Sequence, residues 1–163
     1  MTIVQRRTLA PIIVGIGAAL LVAAIGATIT DLGPWYRGLH QPGWSPPDWA
    51  FPIGWTTIYV TTVIGGITAW RHTASGDERT RLVTLFAFNA FLNILWSLLF
   101  FRLHRPDWAL IEVVPFWLSI VALVVVAARR SAIARLWLLP YLLWVVFAGA
   151  LNAAVVTLNP PFG

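Results

Sequence analysis

Long uncharged gaps constrain this chain more than any other feature. Between Arg7 and Asp31 lie 23 residues without a charge (8–30), between Asp48 and Arg71 lie 22 (49–70), and between Arg81 and Arg102 lie 20 (82–101). Another 21 (108–128) are interrupted only by Glu112, and after Arg135 no charged side chain occurs again. A bilayer core about 30 Å thick is crossed by roughly 20 helical residues at about 1.5 Å each. The spacing predicts five transmembrane helices at about 8–30, 49–70, 80–102, 107–129 and 134–157, within a single domain covering 1–163. The fold class expected is therefore an all-α integral membrane protein, a five-transmembrane-helix bundle.

Composition removes the alternatives. Hydrophobic residues make up 59% of the chain and charged residues 10%, against about 25% charged in soluble domains. A transmembrane barrel needs short strands of alternating polarity, and runs such as Ile12 to Ile29 or Ile120 to Ala128 do not alternate. The first uncharged stretch also exceeds the roughly 7 to 15 apolar residues of a secretory signal. With no cysteine, disulfides and thiol chemistry are excluded. There is no HExxH, GxSxG, P-loop or strand-borne GxGxxG. Arginine provides all the positive charge and is unevenly shared. Eight arginines (6, 7, 71, 79, 81, 129, 130, 135) fall on one side of the membrane and three (37, 102, 105) on the other. The positive-inside rule then puts the N-terminus in the cytoplasm; the membrane expected is that of a bacterial or archaeal cell. The net charge of +5 reflects topology and anionic lipid, with no nucleic-acid partner expected.

Only the first connection, Asp31 to Asp48, is long enough to do more than connect. Its four prolines and three glycines preclude a plain helix. Trp35, Trp44 and Trp49 suit either an interfacial anchor or a lid over a cavity between helices. Small residues recur four apart as Gly15, Ala19, Ala23 and Ala27, and as Gly65 and Ala69, for internal packing or a dimer seam. Pro115 and Pro140 are expected to kink or begin helices, Pro140 lying near a beginning.

Polar and aromatic residues at membrane depth fall on shared faces. Asn89, Asn93 and Ser97 follow i, i+4, i+8 on the third transmembrane segment, with Trp96 alongside. Trp144, Ala148 and Asn152 repeat that spacing on the fifth, Trp55 and Tyr59 on the second, and Glu112 with Ser119 on the fourth. Asparagines in lipid serve either as helix glue or as a site, and an intramembrane carboxylate is a functional candidate. By depth these stripes predict a pocket in the outer half, open toward the proline-rich loop, with Trp144 near its floor and suited to a large aromatic ligand. A buried carboxylate without a partner is costly. Glu112 is thus expected to pair with Arg37, Arg102 or Arg105 and so latch the loop. His40 and His104, on the same side, are either metal or haem-iron ligands or two solvated loop histidines. No metal is otherwise expected.

Trp35-Tyr36, Leu39, Pro42, Trp44, Pro46-Pro47, Trp49, Trp55, Tyr59 and Trp70 resemble the signature of the TspO/MBR family, the tryptophan-rich sensory proteins and mitochondrial translocator proteins. Phe88-Asn89 through Asn93, Trp96-Ser97 and Phe100-Phe101 resemble its third transmembrane helix, and Pro140-Tyr141, Trp144, Phe147-Ala148 and Leu151-Asn152 its fifth. The resemblance runs from about 12 to 159. It implies a five-helix bundle, often a homodimer, binding porphyrins such as protoporphyrin IX and haem, and benzodiazepine-type ligands, with no obligatory cofactor. It further implies a pocket under the first loop lined by Trp35, Tyr36, Trp55, Asn89, Trp144 and Ala148, with Glu112 matching the family's fourth-helix acid. Gln41 stands where the family usually has lysine, so any contact with a porphyrin carboxylate passes to Arg37 or His40 or is lost. No basic residue follows Tyr141, so the animal sterol-recognition pattern is incomplete; Arg135, Tyr141 and Leu143 fit only its reversed form. Two readings of function follow: a receptor or sensor for tetrapyrroles, with transport or regulation downstream, or a slow light-dependent porphyrin-degrading enzyme in which Trp55 and Trp144 are catalytic.

Overall fold

The computed structural model describes residues 3–161; residues 1, 2, 162 and 163, the ends of the expected domain, lie outside the described residues. The chain forms α1 (Ile3–Ile29), α2 (Pro34–Gly38), α3 (Ala50–Arg71), α4 (Gly76–Ser97) with a π-helical continuation (Leu98–Arg102), α5 (Pro106–Ala128) and α6 (Ala132–Leu158). All but α2 are long and apolar enough to cross a membrane, α4 together with its π-helical end. The protein is an all-α integral membrane bundle with no strand among the described residues.

Local chemistry sets the helix starts, and it corrects two expected boundaries. The charges of Asp77, Glu78 and Arg79 suggest a connection up to about residue 80, yet α4 begins at Gly76. Ser75 and Glu78 bracket that start: the Ser75 hydroxyl accepts from the Glu78 N–H at 3.2 Å, and the two acids lie in the first turn where the helix dipole favours them. Ser131 similarly accepts from the Ala134 N–H at 3.3 Å, starting α6 at Ala132 and leaving Pro140 well inside the helix, not near its beginning. Pro106 occupies the first position of α5, where its missing N–H costs nothing. Likewise α1 extends back to Ile3, past the expected start at about residue 8.

The π-helical end of α4, closed by a 2.9 Å bond from the Leu103 N–H to the Leu98 carbonyl, was not legible in the sequence. Its wider turn brings the consecutive Phe100 and Phe101 both toward Trp96, at ring-centroid distances of 5.3 and 6.0 Å.

Helix α5 packs between α4 and α6, α3 packs on α6, and α1 leans on α3 and α4. At Gly65 the backbones of α3 and α6 come close: an added Cβ would lie 3.0 Å from Leu138 Cγ and 3.2 Å from the Ala134 carbonyl. Gly65 and the fully buried Ala69 thus serve internal packing. At the centre a polar network ties three helices. Asn89 Nδ2 donates to Ser119 Oγ at 2.8 Å, Tyr141 OH donates to Asn89 Oδ1 at 3.0 Å, and Asn93 Nδ2 donates to Tyr141 OH at 3.4 Å.

Candidate functional site

A cavity of about 460 Å³ opens beneath the first connection. Its walls come from the second half of α1 (Ala23, Gly26, Ala27), the first half of α3, the end of α4 and the second half of α6. Helices bring aromatic rings to it by simple register. Phe51, Trp55 and Tyr59 follow at four-residue steps on α3, and Trp144 and Phe147 lie three apart on α6. Trp144 sits at the centre of this set, edge-on to Trp55 at 6.1 Å and to Phe51 at 6.4 Å, and 5.5 Å from Phe147. Trp55 stacks on Tyr59 at 5.8 Å. The position facing Trp144 on α3 is Gly54, where a Cβ would lie 2.1 Å from the ring. The absence of a side chain there is what lets the outer edge of the indole reach the α3 backbone.

Eight of the eleven ligand-site residues named from the sequence line this cavity: Tyr36, Trp55, Tyr59, Asn93, Trp96, Trp144, Ala148 and Asn152. The indole Nε1 groups of Trp96 and Trp144 are buried without a hydrogen-bond partner among the described residues. Asn152 is committed to the scaffold. With its amide oriented to suit both neighbours, Nδ2 donates to the Pro106 carbonyl at 2.9 Å and Oδ1 accepts from the Leu110 N–H at 3.0 Å. Asp48 is the one charged residue in the lining among the described residues. Burial, and after it the Asp48 carboxylate, holds the Tyr36 phenol above its ordinary range.

Three named residues lie elsewhere. Trp35 packs outside the lining, stacked on His104 at 4.1 Å and edge-on to Phe100 at 6.2 Å. Asn89 is turned into the network with Ser119 and Tyr141. Glu112 is buried on α5, which contributes no residue to the cavity. The fourth transmembrane helix is thus not a wall, and α1, which offered no polar stripe, supplies one instead. Of these two histidines, His40 is bonded to Asn159 and His104, among the described residues, to no other side chain, being held by its stack on Trp35. His104 has φ +53°, a left-handed conformation that histidine tolerates in tight turns. No group of three His, Asp or Glu side chains able to hold a metal forms among the described residues.

The expected latch through Glu112 is corrected by the contacts formed. Both Glu112 oxygens lack a partner among the described residues. Arg105 instead engages Asp107, Nε to Oδ1 at 2.8 Å, in a bidentate fork at the α5 start. Asp107 is nearer the aqueous edge than Glu112, so the pair forms without dragging a guanidinium into lipid depth. Arg37 and Arg102 are exposed.

What does tie the first connection down is Asn159, just beyond α6, which sequence reasoning missed. Its Oδ1 accepts from the His40 N–H at 2.7 Å and lies 3.2 Å from His40 Nδ1, while its Nδ2 donates to the His40 carbonyl at 3.0 Å. No periodicity signals a contact 119 residues apart in sequence. Asn159→Ala should therefore speed amide exchange at His40 by about fivefold, roughly 1 kcal/mol for this solvent-exposed set, with exchange inside α3 and α6 unaltered. Equal His40 exchange in both proteins would dismiss the tie.

The sequence pattern of the TspO/MBR family matches residues 11–158. The chain is 39% identical over 153 residues to the tryptophan-rich protein TspO of Chlorobaculum tepidum, covering 89% of this chain and 93% of that one. It is 38% identical to protein CrtK of Rhodobacter capsulatus, with 85% and 88% covered. It is 34% identical to the translocator protein of Sus scrofa, with 74% and 72% covered. With five membrane-spanning helices and a match over nearly its whole length, this chain belongs to the TspO/MBR family of multi-pass membrane proteins.

Proposed function

We propose that this protein is a receptor or sensor that takes up a porphyrin, such as protoporphyrin IX or haem, or a similar flat apolar aromatic, in the cavity beneath the first connection. The observation that carries this reading is the pair of buried indole N–H groups, Trp96 and Trp144, left without partners among the described residues in the wall of an aromatic cavity. Buried donors are normally satisfied, and a ligand acceptor would satisfy these. The cavity volume of about 460 Å³ lies within the range of small-molecule sites, about 300–1,000 Å³. With Asp48 as the only charged lining residue among the described residues, a dicarboxylic porphyrin would keep its carboxylates at the mouth, in water, and its ring among the tryptophans. Neutral benzodiazepine-type ligands meet no such demand. The arginine asymmetry favours a cytoplasmic N-terminus, with the cavity in the outer half of the membrane.

The test is a titration of the purified protein with protoporphyrin IX, followed by tryptophan quenching. Saturable micromolar binding is expected, roughly −8 kcal/mol. Trp144→Ala should weaken it by about 1–3 kcal/mol, the range for losing one stacked base-sized ring. An identical titration curve for the variant would remove Trp144 from the site. The double variant Trp55→Phe/Trp144→Phe keeps two π-faces and should bind. If light bleaches bound porphyrin equally in the double variant and the wild type, the indoles are only a binding surface. Bleaching lost with both indoles would instead mark light-dependent degradation.

A further inference from the structure

A second cavity, of about 830 Å³, lies in the other half of the bundle between the first part of α1, the second part of α3 and the first part of α4. Tyr59 and Asn93 line both cavities and form the partition between them. The two differ in charge: among the described residues, Asp48 is the one charged lining residue of the first and Arg79 of the second. Arg79 is half-buried at the membrane edge of the second cavity. Its Nε donates to the Thr73 carbonyl at 3.0 Å and its guanidinium lies 5.1 Å from the Trp70 ring centroid. The neighbouring Glu78 is taken by Arg130, and Arg79 has no carboxylate partner among the described residues. Its Nη edge is thus fixed in place by two neighbours with its charge unanswered.

From Arg79 the cavity runs inward along α4 to Asn93, 14 residues or about 21 Å, somewhat more than the ~15 Å of hydrocarbon in one leaflet. Its walls are mostly Ala, Val, Gly, Ile, Leu and Phe, with Thr62 on α3 a polar exception. The exposed Val14 and Val83 flank it on α1 and α4, so it is open sideways to the surrounding lipid. At the far end Asn89 and Tyr141 are hydrogen-bonded to each other and to Ser119 and Asn93. Asn89 and Tyr141 therefore ask nothing polar of an occupant. A cation at the headgroup level, a tryptophan beside it, and an apolar slot one leaflet deep match one molecule: a lipid with an anionic head.

We propose that this cavity binds a single anionic glycerophospholipid, its phosphodiester on Arg79 and one acyl chain laid between α1, α3 and α4. The lipid would fill the loose side of the bundle, where no residue in the Leu9–Ile29 span of α1 is fully buried. This site is independent of the porphyrin cavity.

The experiment uses the full chain in nanodiscs of phosphatidylcholine doped with phosphatidylglycerol, released into the gas phase for native mass spectrometry. One phosphatidylglycerol per chain should be retained, in preference to phosphatidylcholine by about fivefold, the effect of one arginine at an anionic surface. Arg79→Gln should abolish the preference, while Arg81→Gln, exposed on the same side and outside the lining, should keep it. Protoporphyrin titration of Arg79→Gln should match wild type, which shows the variant folded and separates this site from the other. Equal retention of the two lipids by the wild type would overturn the proposal. So would equal loss of preference in Arg79→Gln and Arg81→Gln, or a lipid-free pair of chains.

Discussion

Gly54→Ala should weaken protoporphyrin IX binding by roughly five- to a hundredfold while leaving the helical content unchanged. The added Cβ would lie 2.1 Å from Trp144 Cη2 and 2.6 Å from Cζ2 and Cζ3, whereas carbon atoms settle at about 3.5–4.0 Å. The indole must move by more than 1 Å or α3 must part from α6. Trp144 has little room to yield, because Phe51, Trp55 and Phe147 hold it on three sides. Overpacking of this kind costs about 1–3 kcal/mol. Replacing a helical glycine by alanine returns up to about 1 kcal/mol of propensity, so the helix itself survives and the loss appears at the site. Each 1.4 kcal/mol is a factor of ten in affinity. The measurement is the porphyrin dissociation constant beside the far-ultraviolet dichroism. Wild-type affinity in Gly54→Ala would mean that Trp144 swings aside freely and does not shape the cavity.

Gly54 also marks a boundary of what a sequence gives up. The five helices could be read from uncharged gaps because the bilayer imposes a length on each span, and a length is a count. The cavity aromatics could be read because Trp55 with Tyr59, and Trp144 with Ala148, repeat at the helical period. Which neighbour each face meets is another matter. In lipid both sides of a helix are apolar, so nothing in the Glu112–Ser119 spacing revealed that α5 packs behind the cavity, or that the featureless Gly26 and Ala27 of α1 face it. Gly54 is a one-residue steric fit between two helices, and Asn159 a contact between a loop and a chain end. Neither leaves a period. The ends of helices failed for a related reason: Asp77 and Glu78 read as solvent-exposed loop, yet charge in a first turn is what a capped helix start prefers.

Asn89 shows how the glue and site readings of an intramembrane asparagine can be separated. Asn89→Ala should lower the stability of the bundle by about 1–3 kcal/mol, because it strands the Tyr141 hydroxyl, removes the donor to Ser119 and leaves a small void. Hydrogen bonds between transmembrane helices average only about 0.6 kcal/mol by double-mutant cycles, with a maximum near 1.7. Most of the loss should therefore come from stranded groups and packing. Tyr141→Phe should cost less, since the Asn93 bond it also removes is long, at 3.4 Å, and the ring still packs edge-on to Phe116 at 6.0 Å. Unfolding of both single variants and the double by dodecyl sulfate in micelles gives the cycle, and the double should be less damaged than the sum because one bond is counted in each. Porphyrin affinity is the discriminating readout. Asn89 lines the second cavity and not the first, so Asn89→Ala should leave the protoporphyrin titration within about twofold, or roughly 0.4 kcal/mol. A variant of wild-type stability that binds porphyrin tenfold more weakly would put Asn89 in the ligand site, as the family resemblance implies, and would mean that the polar network is secondary to it.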